Sequence, residues 1–531
     1  YQRRVRGSMQ DLEETMACFQ CEQTVKPNGC SKVGVCAKTP LQAALQDMIV
    51  FGLAQNGAPS HKEFIQGMFM TLTNTNHNEQ ALKDMVSAIA KQIKLPQFDE
   101  MLGKVLETGH THLSPHFYER KYGKDLNSIV QLGIQGIKGA AAYLDHVYRL
   151  QAAAHSDAGA DKLADQLQEL HRYFVNAASM TEGLQNLLQV GTVNFEVTKL
   201  LDQQNALFNG VPQLTQIPVG LHPGPAVLVT GHDLVDLRTL LEKCETRGVN
   251  VYTHGEMLPS FMYPELKKFQ CLKANFGHAW QLQQSEFASF PGPILFTTNC
   301  IMKPTQKYIA NCFTTGAVGY EGVKHILNDD WEPIIQQAIS MKGFTSEEHC
   351  KQVEAAVQQK QITSTVGFNH RVFDGLSDTL LKMIKDGRIK GFRFVGGCDG
   401  VSQKRNVFTA AAENAPKDWV VLTGACGRFK VNTLEMGDID GIPRLLDVGQ
   451  CNDVYSAIMI LVKLAGALNC TVNDLPIELF VSWYEQKAIV QFLTLLSLGV
   501  KNIKLGPTPP VCITPAVFGI LQEKYNVSII Q

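Results

Sequence analysis

Four cysteines near the start of the chain have the types and spacing for metal chemistry. Cys18, Cys21, Cys30 and Cys36 fall within nineteen residues as Cys-x2-Cys-x8-Cys-x5-Cys. Lys26, Pro27, Asn28, Gly29 and Gly34 lie among them, and such a loop, rich in turn formers, lets a short segment wrap a compact object. A cubane iron–sulfur cluster takes four thiolates from a wrap of this kind. Structural zinc also accepts four thiolates, but its ribbons bring them as two knuckles of short spacing. The second pair here is five residues apart, so the spacing favours iron–sulfur, with zinc as the alternative.

A second set of ligand-type residues recurs after short β-rich runs in the C-terminal half. His232 follows Val-Leu-Val-Thr-Gly, Glu256 follows Val-Tyr-Thr-His-Gly, and Cys300 follows Ile-Leu-Phe-Thr-Thr-Asn. Cys398, Cys426, Cys451 and Glu485 follow Phe-Arg-Phe-Val-Gly-Gly, Val-Val-Leu-Thr-Gly-Ala, Leu-Leu-Asp-Val-Gly-Gln and Leu-Phe-Val-Ser-Trp-Tyr. Open α/β sheets form their sites outside the carboxyl ends of the strands, so seven strands can aim seven donors at one place. Singly, each has a plainer explanation. A lone cysteine after a strand is usually a small buried hydrophobe, His232 could cap a helix starting near Asp233, and Glu256 could pair with a lysine. Recurrence at seven strand ends outweighs those readings. The other six cysteines read as structural: Cys244 and Cys470 in helical patterns, and Cys271, Cys312, Cys350 and Cys512 without repeated context. Mixed Cys, Glu and His ligation suits iron bridged by both sulfide and oxide.

The elements that must position these groups come in two kinds. From about Leu41 to Phe208 apolar residues repeat at helical spacing, as in Leu82, Met85, Ile89 and Ile93, and strand signals are nearly absent. Pro218 to Pro225 breaks the chain, after which β-rich runs alternate with helical segments, the signature of parallel α/β sheets. The expected fold class is multidomain α + α/β, an N-terminal helical domain followed by two Rossmann-like parallel-sheet domains. The boundaries fall at a tag remnant or N-terminal extension over residues 1–15, an iron–sulfur and helical domain over 16–217, and α/β domains over 218–361 and 362–531. With 531 residues, 48 Lys+Arg and 50 Asp+Glu, the chain can bury several cores without disulfides. Its near-neutral charge without a basic block argues against nucleic acid or an anionic membrane as partner. The most apolar stretch, Tyr455 to Leu468, is too short to span a bilayer and reads as a buried helix. Dilute cysteines without a secretory signal point to a reducing, cytoplasmic setting.

The motifs together resemble the hybrid cluster protein family, also called prismane proteins or hydroxylamine reductases. Those that carry the resemblance include Cys-Phe-Gln-Cys-Glu-Gln-Thr (18–24), Thr-His-Gly-Glu-Met-Leu-Pro (253–259), Asp-Val-Gly-Gln-Cys-Asn-Asp (447–453) and Ser-Trp-Tyr-Glu-Gln-Lys-Ala (482–488). The resemblance implies a 4Fe-4S cubane on Cys18, Cys21, Cys30 and Cys36. It also implies a hybrid 4Fe-2O-2S cluster on His232, Glu256, Cys300, Cys398, Cys426, Cys451 and Glu485, with a persulfide at Cys398. The implied activity is reduction of hydroxylamine to ammonia and water, with Lys487 or Tyr484, either side of Glu485, supplying protons. Nitric oxide reduction to nitrous oxide and protein S-nitrosylation are the alternatives within the family, and a nickel–iron carbon monoxide dehydrogenase is a more distant one. The small nitrogen-oxide substrate would be joined by a separate electron-donor protein, because no Gly-rich dinucleotide fingerprint follows a strand.

Overall fold

The structure, a computed structural model, describes residues 16–24, 29–55, 60–93, 95–157, 159–177, 179–400 and 403–530. The expected extension over residues 1–15, and Lys26, Pro27 and Asn28, lie outside the described residues. Helices dominate from Pro40 to Asn209, and their starts are written locally. Pro40, Pro96 and Pro115 each stand in a first turn, where a missing N–H costs nothing. Thr39 and Gln42 form a reciprocal capping box, with N-to-side-chain distances of 3.0 and 3.1 Å.

Two long helices, Lys124–Ala154 and Met180–Asn209, pack along one another and against Gln486–Ser497 from the far end of the chain. Glycine makes this triple contact close. A Cβ on Gly139 would lie 2.4 Å from the Gln486 carbonyl oxygen, and one on Gly191 would lie 2.2 Å from that of Leu493. Asn194 Nδ2 then donates to Thr494 Oγ1 at 2.9 Å across the same seam. The helix Gln486–Ser497, which carries Lys487, is thereby seated in the N-terminal bundle.

The α/β part contains a six-stranded and an eight-stranded sheet. In the first, Leu272–Asn275, Asn250–His254, Ala226–Thr230, Ile294–Phe296, Cys312–Thr314 and Lys324–His325 lie side by side, all parallel. Chain order reverses between Ala226–Thr230 and Ile294–Phe296, which makes this gap the switch point. In the second sheet the reversal falls between Gly391–Gly397 and Ile477–Ser482, with Trp419–Thr423 and Leu445–Asp447 beyond the first and Ile503–Gly506 and Ser528–Ile529 beyond the second. Thr215–Gln216 closes that sheet as its one antiparallel strand. The core strands Ala226–Thr230 and Trp419–Thr423 are buried almost throughout, as parallel strands covered on both faces must be.

All seven expected β-rich runs are strands. Leu272–Asn275, Cys312–Thr314 and Ile503–Gly506 are further strands that sequence pattern did not single out. Cys470 is not helical as its pattern suggested: the helix Val454–Ala467 ends three residues earlier. That helix is also only half sunk, with Val462 43% exposed, so its apolar run is a one-sided face rather than a fully buried rod. Among the described residues no helix is long and apolar enough to cross a membrane.

Candidate metal centre

The seven strand-end donors meet. His232, Glu256, Cys300, Cys398, Cys426, Cys451 and Glu485 line one cavity together with Trp280 and Tyr484. Topology explains the convergence. His232 and Cys300 follow the two strands flanking the first sheet's switch point, and Cys398 and Glu485 follow the two flanking the second. The gap outside a switch point is where adjacent connections diverge to opposite faces of the sheet, and here two such gaps open onto a common space. Gly397 makes the turn into Cys398 with φ 111°, and a Cβ there would sit 2.2 Å from the Ser482 carbonyl oxygen; glycine is required on both counts.

His232, Glu256 and Glu485 each have a partner that aims them. His232 Nδ1 lies 2.8 Å from Thr298 Oγ1, which leaves Nε2 facing the cavity, 3.8 Å from Glu256 Oε2 and 3.2 Å from Lys487 Nζ. Such an outer partner fixes the ring and its tautomer. His232 does not cap the helix Leu234–Arg247; Asp233 does, accepting from Asp236 N. Glu256 pairs not with a lysine but with buried Arg428 at 3.3 Å, and it accepts from Cys451 N at 2.9 Å. Arg428 is anchored in turn on Asp447 at 2.6 Å. Glu485 is the N-cap of the helix Gln486–Ser497 and accepts from Lys487 N at 2.9 Å, while Cys398 Sγ donates to its other oxygen at 3.5 Å. The strand stops at Ser482, so Glu485 and Lys487 reach the cavity as a cap and a first-turn residue, not as alternate residues of an extended strand.

The electrostatics are those of a site short of positive charge. Burial pushes the Cys398, Cys426 and Cys300 thiols up, and Cys451 to about 12, with neighbouring carboxylates and thiols adding to the rise. Burial likewise raises Glu485 and, together with the Lys487 charge, holds His232 well below the usual imidazole range. Lys487 loses by burial but gains more from Cys451 and Glu485, so its ammonium is retained. Four thiols and two carboxylates around so few cations fit a cationic, multinuclear guest. A single ion would draw all its donors onto one point. Among the described residues only His232, Glu256 and Cys451 offer ligand atoms all within 4.8 Å of one another, and the other four donors of the cavity lie outside that group.

The four N-terminal cysteines also come together. Cys18 and Cys30 pair as an antiparallel bridge with N···O distances of 3.1 and 2.7 Å. Burial raises the Cys21 thiol, and the nearby Cys18 and Cys36 raise it further. Lys38 Nζ, itself buried, stands 3.8 Å from Cys18 Sγ. This segment is stitched to the cavity wall. Glu22 N donates to the Tyr484 carbonyl at 3.0 Å, Gln486 Nε2 to the Gln20 carbonyl at 2.7 Å, and Tyr484 OH to Gln23 Oε1 at 3.1 Å. The Tyr484 hydroxyl also accepts from Asn74 Nδ2 at 3.1 Å, so it is engaged on the N-terminal side while its ring stacks near Trp280 at the cavity. Arg405, fully buried, ties Glu22, Asp399 and the Trp483 carbonyl into one knot. Sequence reasoning missed Arg405, Arg428 and Thr298; their partners are remote in the chain, and an arginine without local context carries no signal.

Two parallel sheets whose switch points share a cysteine- and carboxylate-lined cavity, joined through the helix Gln486–Ser497 to a helical bundle with a four-thiol wrap, define a metalloprotein class. The chain belongs to the Prismane/CO dehydrogenase family, whose model matches residues 16–530. It is 41% identical to a hydroxylamine reductase of Solidesulfovibrio magneticus, over 96% of this chain and 97% of that one. Against a hydroxylamine reductase of Maridesulfovibrio salexigens the identity is 42%, again over 96% and 97%. Among solved structures, carbon monoxide dehydrogenase IV from Carboxydothermus hydrogenoformans is similar in fold, with a TM-score of 0.54 at 16% identity over 97% of this chain and 90% of that one. A nickel-free carbon monoxide dehydrogenase from Thermococcus sp. AM4 gives 0.53 at 17% identity, over 99% and 89%.

Proposed function

We propose that this protein is an iron–sulfur hydroxylamine reductase, which takes hydroxylamine, two electrons and two protons to ammonia and water. The observation that carries the reading is the convergence of seven mixed donors on one buried cavity, in a chain whose relatives at about 40% identity bear that name. His232, Glu256, Cys300, Cys398, Cys426, Cys451 and Glu485 would hold a hybrid 4Fe-2O-2S cluster, with Cys398 carrying the persulfide that the family resemblance implies. Cys18, Cys21, Cys30 and Cys36 would hold a 4Fe-4S cubane. Zinc fits them less well, because tetrahedral bonds of about 2.3 Å bring sulfurs within roughly 3.8 Å of each other, and these four form no group within 4.8 Å. The two carboxylate donors speak for an oxide-bridged iron site rather than a nickel–sulfide one.

When bound, such a cluster supplies electrons and a Lewis-acidic iron for cleavage of the N–O bond. The chain's own residues do the rest. Thr298 orients His232, and backbone N–H groups of Cys451 and Lys487 hold Glu256 and Glu485, so either carboxylate can release one oxygen without losing its place. The Lys487 ammonium, 3.2 Å from His232 Nε2, would give a proton to a departing oxygen. Tyr484 is less suited, since its hydroxyl is taken up by Gln23 and Asn74. The arrangement 16–217, 218–361 and 362–531, a cytoplasmic setting and a separate electron-donor protein complete the reading.

Metal and acid-labile sulfide analysis on anaerobically purified protein tests it, followed by hydroxylamine-dependent oxidation of reduced methyl viologen. The expected result is iron for two four-iron centres, sulfide below iron, little nickel or zinc, and turnover. Stoichiometric nickel, or zinc in place of iron, would overturn it. Far higher kcat/KM with nitric oxide than with hydroxylamine would move the substrate assignment.

A further inference from the structure

The reaction proposed above consumes two protons per turnover, yet its cavity is enclosed by buried side chains. A row of hydrogen-bonding groups leads from that cavity to the surface. Thr230, in the cavity wall at the end of its strand, has Oγ1 3.1 Å from His254 Nδ1. His254 Nε2 lies 3.0 Å from Glu286 Oε2, and Glu286 Oε1 lies 2.6 Å from His278 Nδ1. The side chains of His254 and Glu286 are 0% and 3% exposed, whereas His278 is 25% exposed. Every link is within direct hydrogen-bond reach, so no intervening water is needed. Burial pushes the Glu286 carboxyl up, but the bonds from His254 and His278 outweigh it and hold the group at about 2. It is therefore an anion at rest, able to take the proton that His278 gives up. Gly277, at φ 68°, leaves the room: a Cβ there would sit 2.5 Å from a Glu286 oxygen.

We infer that His278, Glu286, His254 and Thr230 form the proton-entry path of the metal cavity. The inference rests on the reductase reading for its proton demand. A solvent proton adds to His278 Nε2 while the proton on Nδ1 moves to the Glu286 carboxylate. With His254 in its Nδ1–H tautomer, the momentarily neutral Glu286 turns its acid proton to His254 Nε2 as Nδ1 gives its own to Thr230, whose hydroxyl proton enters the cavity. One proton enters and one leaves per passage, no heavy-atom bond changes, and the ring tautomers then reset. These are relay residues; none is placed on substrate or metal.

The test uses iron-loaded Glu286→Gln and His278→Ala enzymes, with iron, sulfide and Tm measured first. Both should keep wild-type iron, lose tenfold or more in kcat with KM within twofold, and show a larger solvent deuterium isotope effect on kcat. Added imidazole should restore His278→Ala. Proton uptake on reduction by methyl viologen radical without substrate, followed with an indicator dye, should slow at least tenfold in both. If wild type fails to turn over hydroxylamine, the functional reading falls and this uptake alone judges the path. Wild-type rates and isotope effects in His278→Ala with full iron would overturn the inference. So would variants that take up protons as fast as wild type, or a wild type that takes up none. If Glu286→Gln fails to load iron, His278→Ala, at the half-buried end of the row, still decides.

Discussion

The four-thiol wrap and the seven-donor cavity use the same chemical vocabulary but are assembled in opposite ways. The wrap draws its thiols from nineteen consecutive residues, closes on one short bridge between Cys18 and Cys30, and leaves Cys18 and Cys36 partly exposed. The cavity draws on residues from His232 to Glu485, and no two of its donors share a strand. A local site can be formed by a short loop around its guest. A long-range site exists only once two sheets and the bundle helix have all found their places, so its integrity and that of the fold are one property.

That contrast can be broken in several places. The largest effect is expected from Cys451→Ala: hydroxylamine turnover should fall on the order of a thousandfold, as when one member of a cooperating unit is removed. Iron analysis with EPR should show loss of the cavity centre while the N-terminal signal persists; loss of both would mean the sites are not separable. Arg428→Met leaves Asp447 and Glu256 buried without their shared cation, which should cost about 3–5 kcal/mol, read as a lowered denaturation midpoint. Cys21→Ser should reduce viologen-driven turnover roughly tenfold to a hundredfold and leave cavity iron intact, because the wrap supplies no donor to the cavity and no strand to either sheet. Full activity after Cys21→Ser would make the wrap dispensable to electron supply. The smallest change should follow Lys38→Met. A unit charge about 8 Å from a centre at an effective dielectric near 20 is worth ~2 kcal/mol, so an EPR-monitored titration should find the N-terminal midpoint potential lower by about 90 mV, with the cavity centre unmoved.

The same contrast decides what could be read from the chain. The wrap was legible because its whole content is spacing. The cavity donors were legible for a less direct reason: a parallel strand announces itself by composition, and its carboxyl end is where α/β folds place function. The supporting groups were not. Arg405 joins Glu22 across 383 positions and Arg428 joins Glu256 across 172, and no local pattern encodes such pairings. Lys487 was singled out by its place beside Glu485 in a motif, and the structure makes Glu485 the cap and Lys487 a first-turn residue of one helix. Cys470 was misplaced because an apolar run continues past the point where the backbone hydrogen bonds of Val454–Ala467 give out. Conversely the helix starts at Pro40 and Pro115 are encoded locally, because a proline in the first turn is a statement about one residue's backbone.

The glycine seam under Gln486–Ser497 bears on how the molecule behaves as it works. With Gly139 and Gly191 in backbone contact with that helix, sliding it by even part of a turn would drive peptide groups into each other. A donor set that must loosen and tighten around its guest has no sliding part to call on, and the adjustment falls to the side chains of Glu256, Glu485 and Lys487. Oxidised and reduced forms should then superimpose in backbone and differ only in a few rotamers. Methyl-bearing substitutions at the seam should be felt as heat lability long before they are felt as altered chemistry.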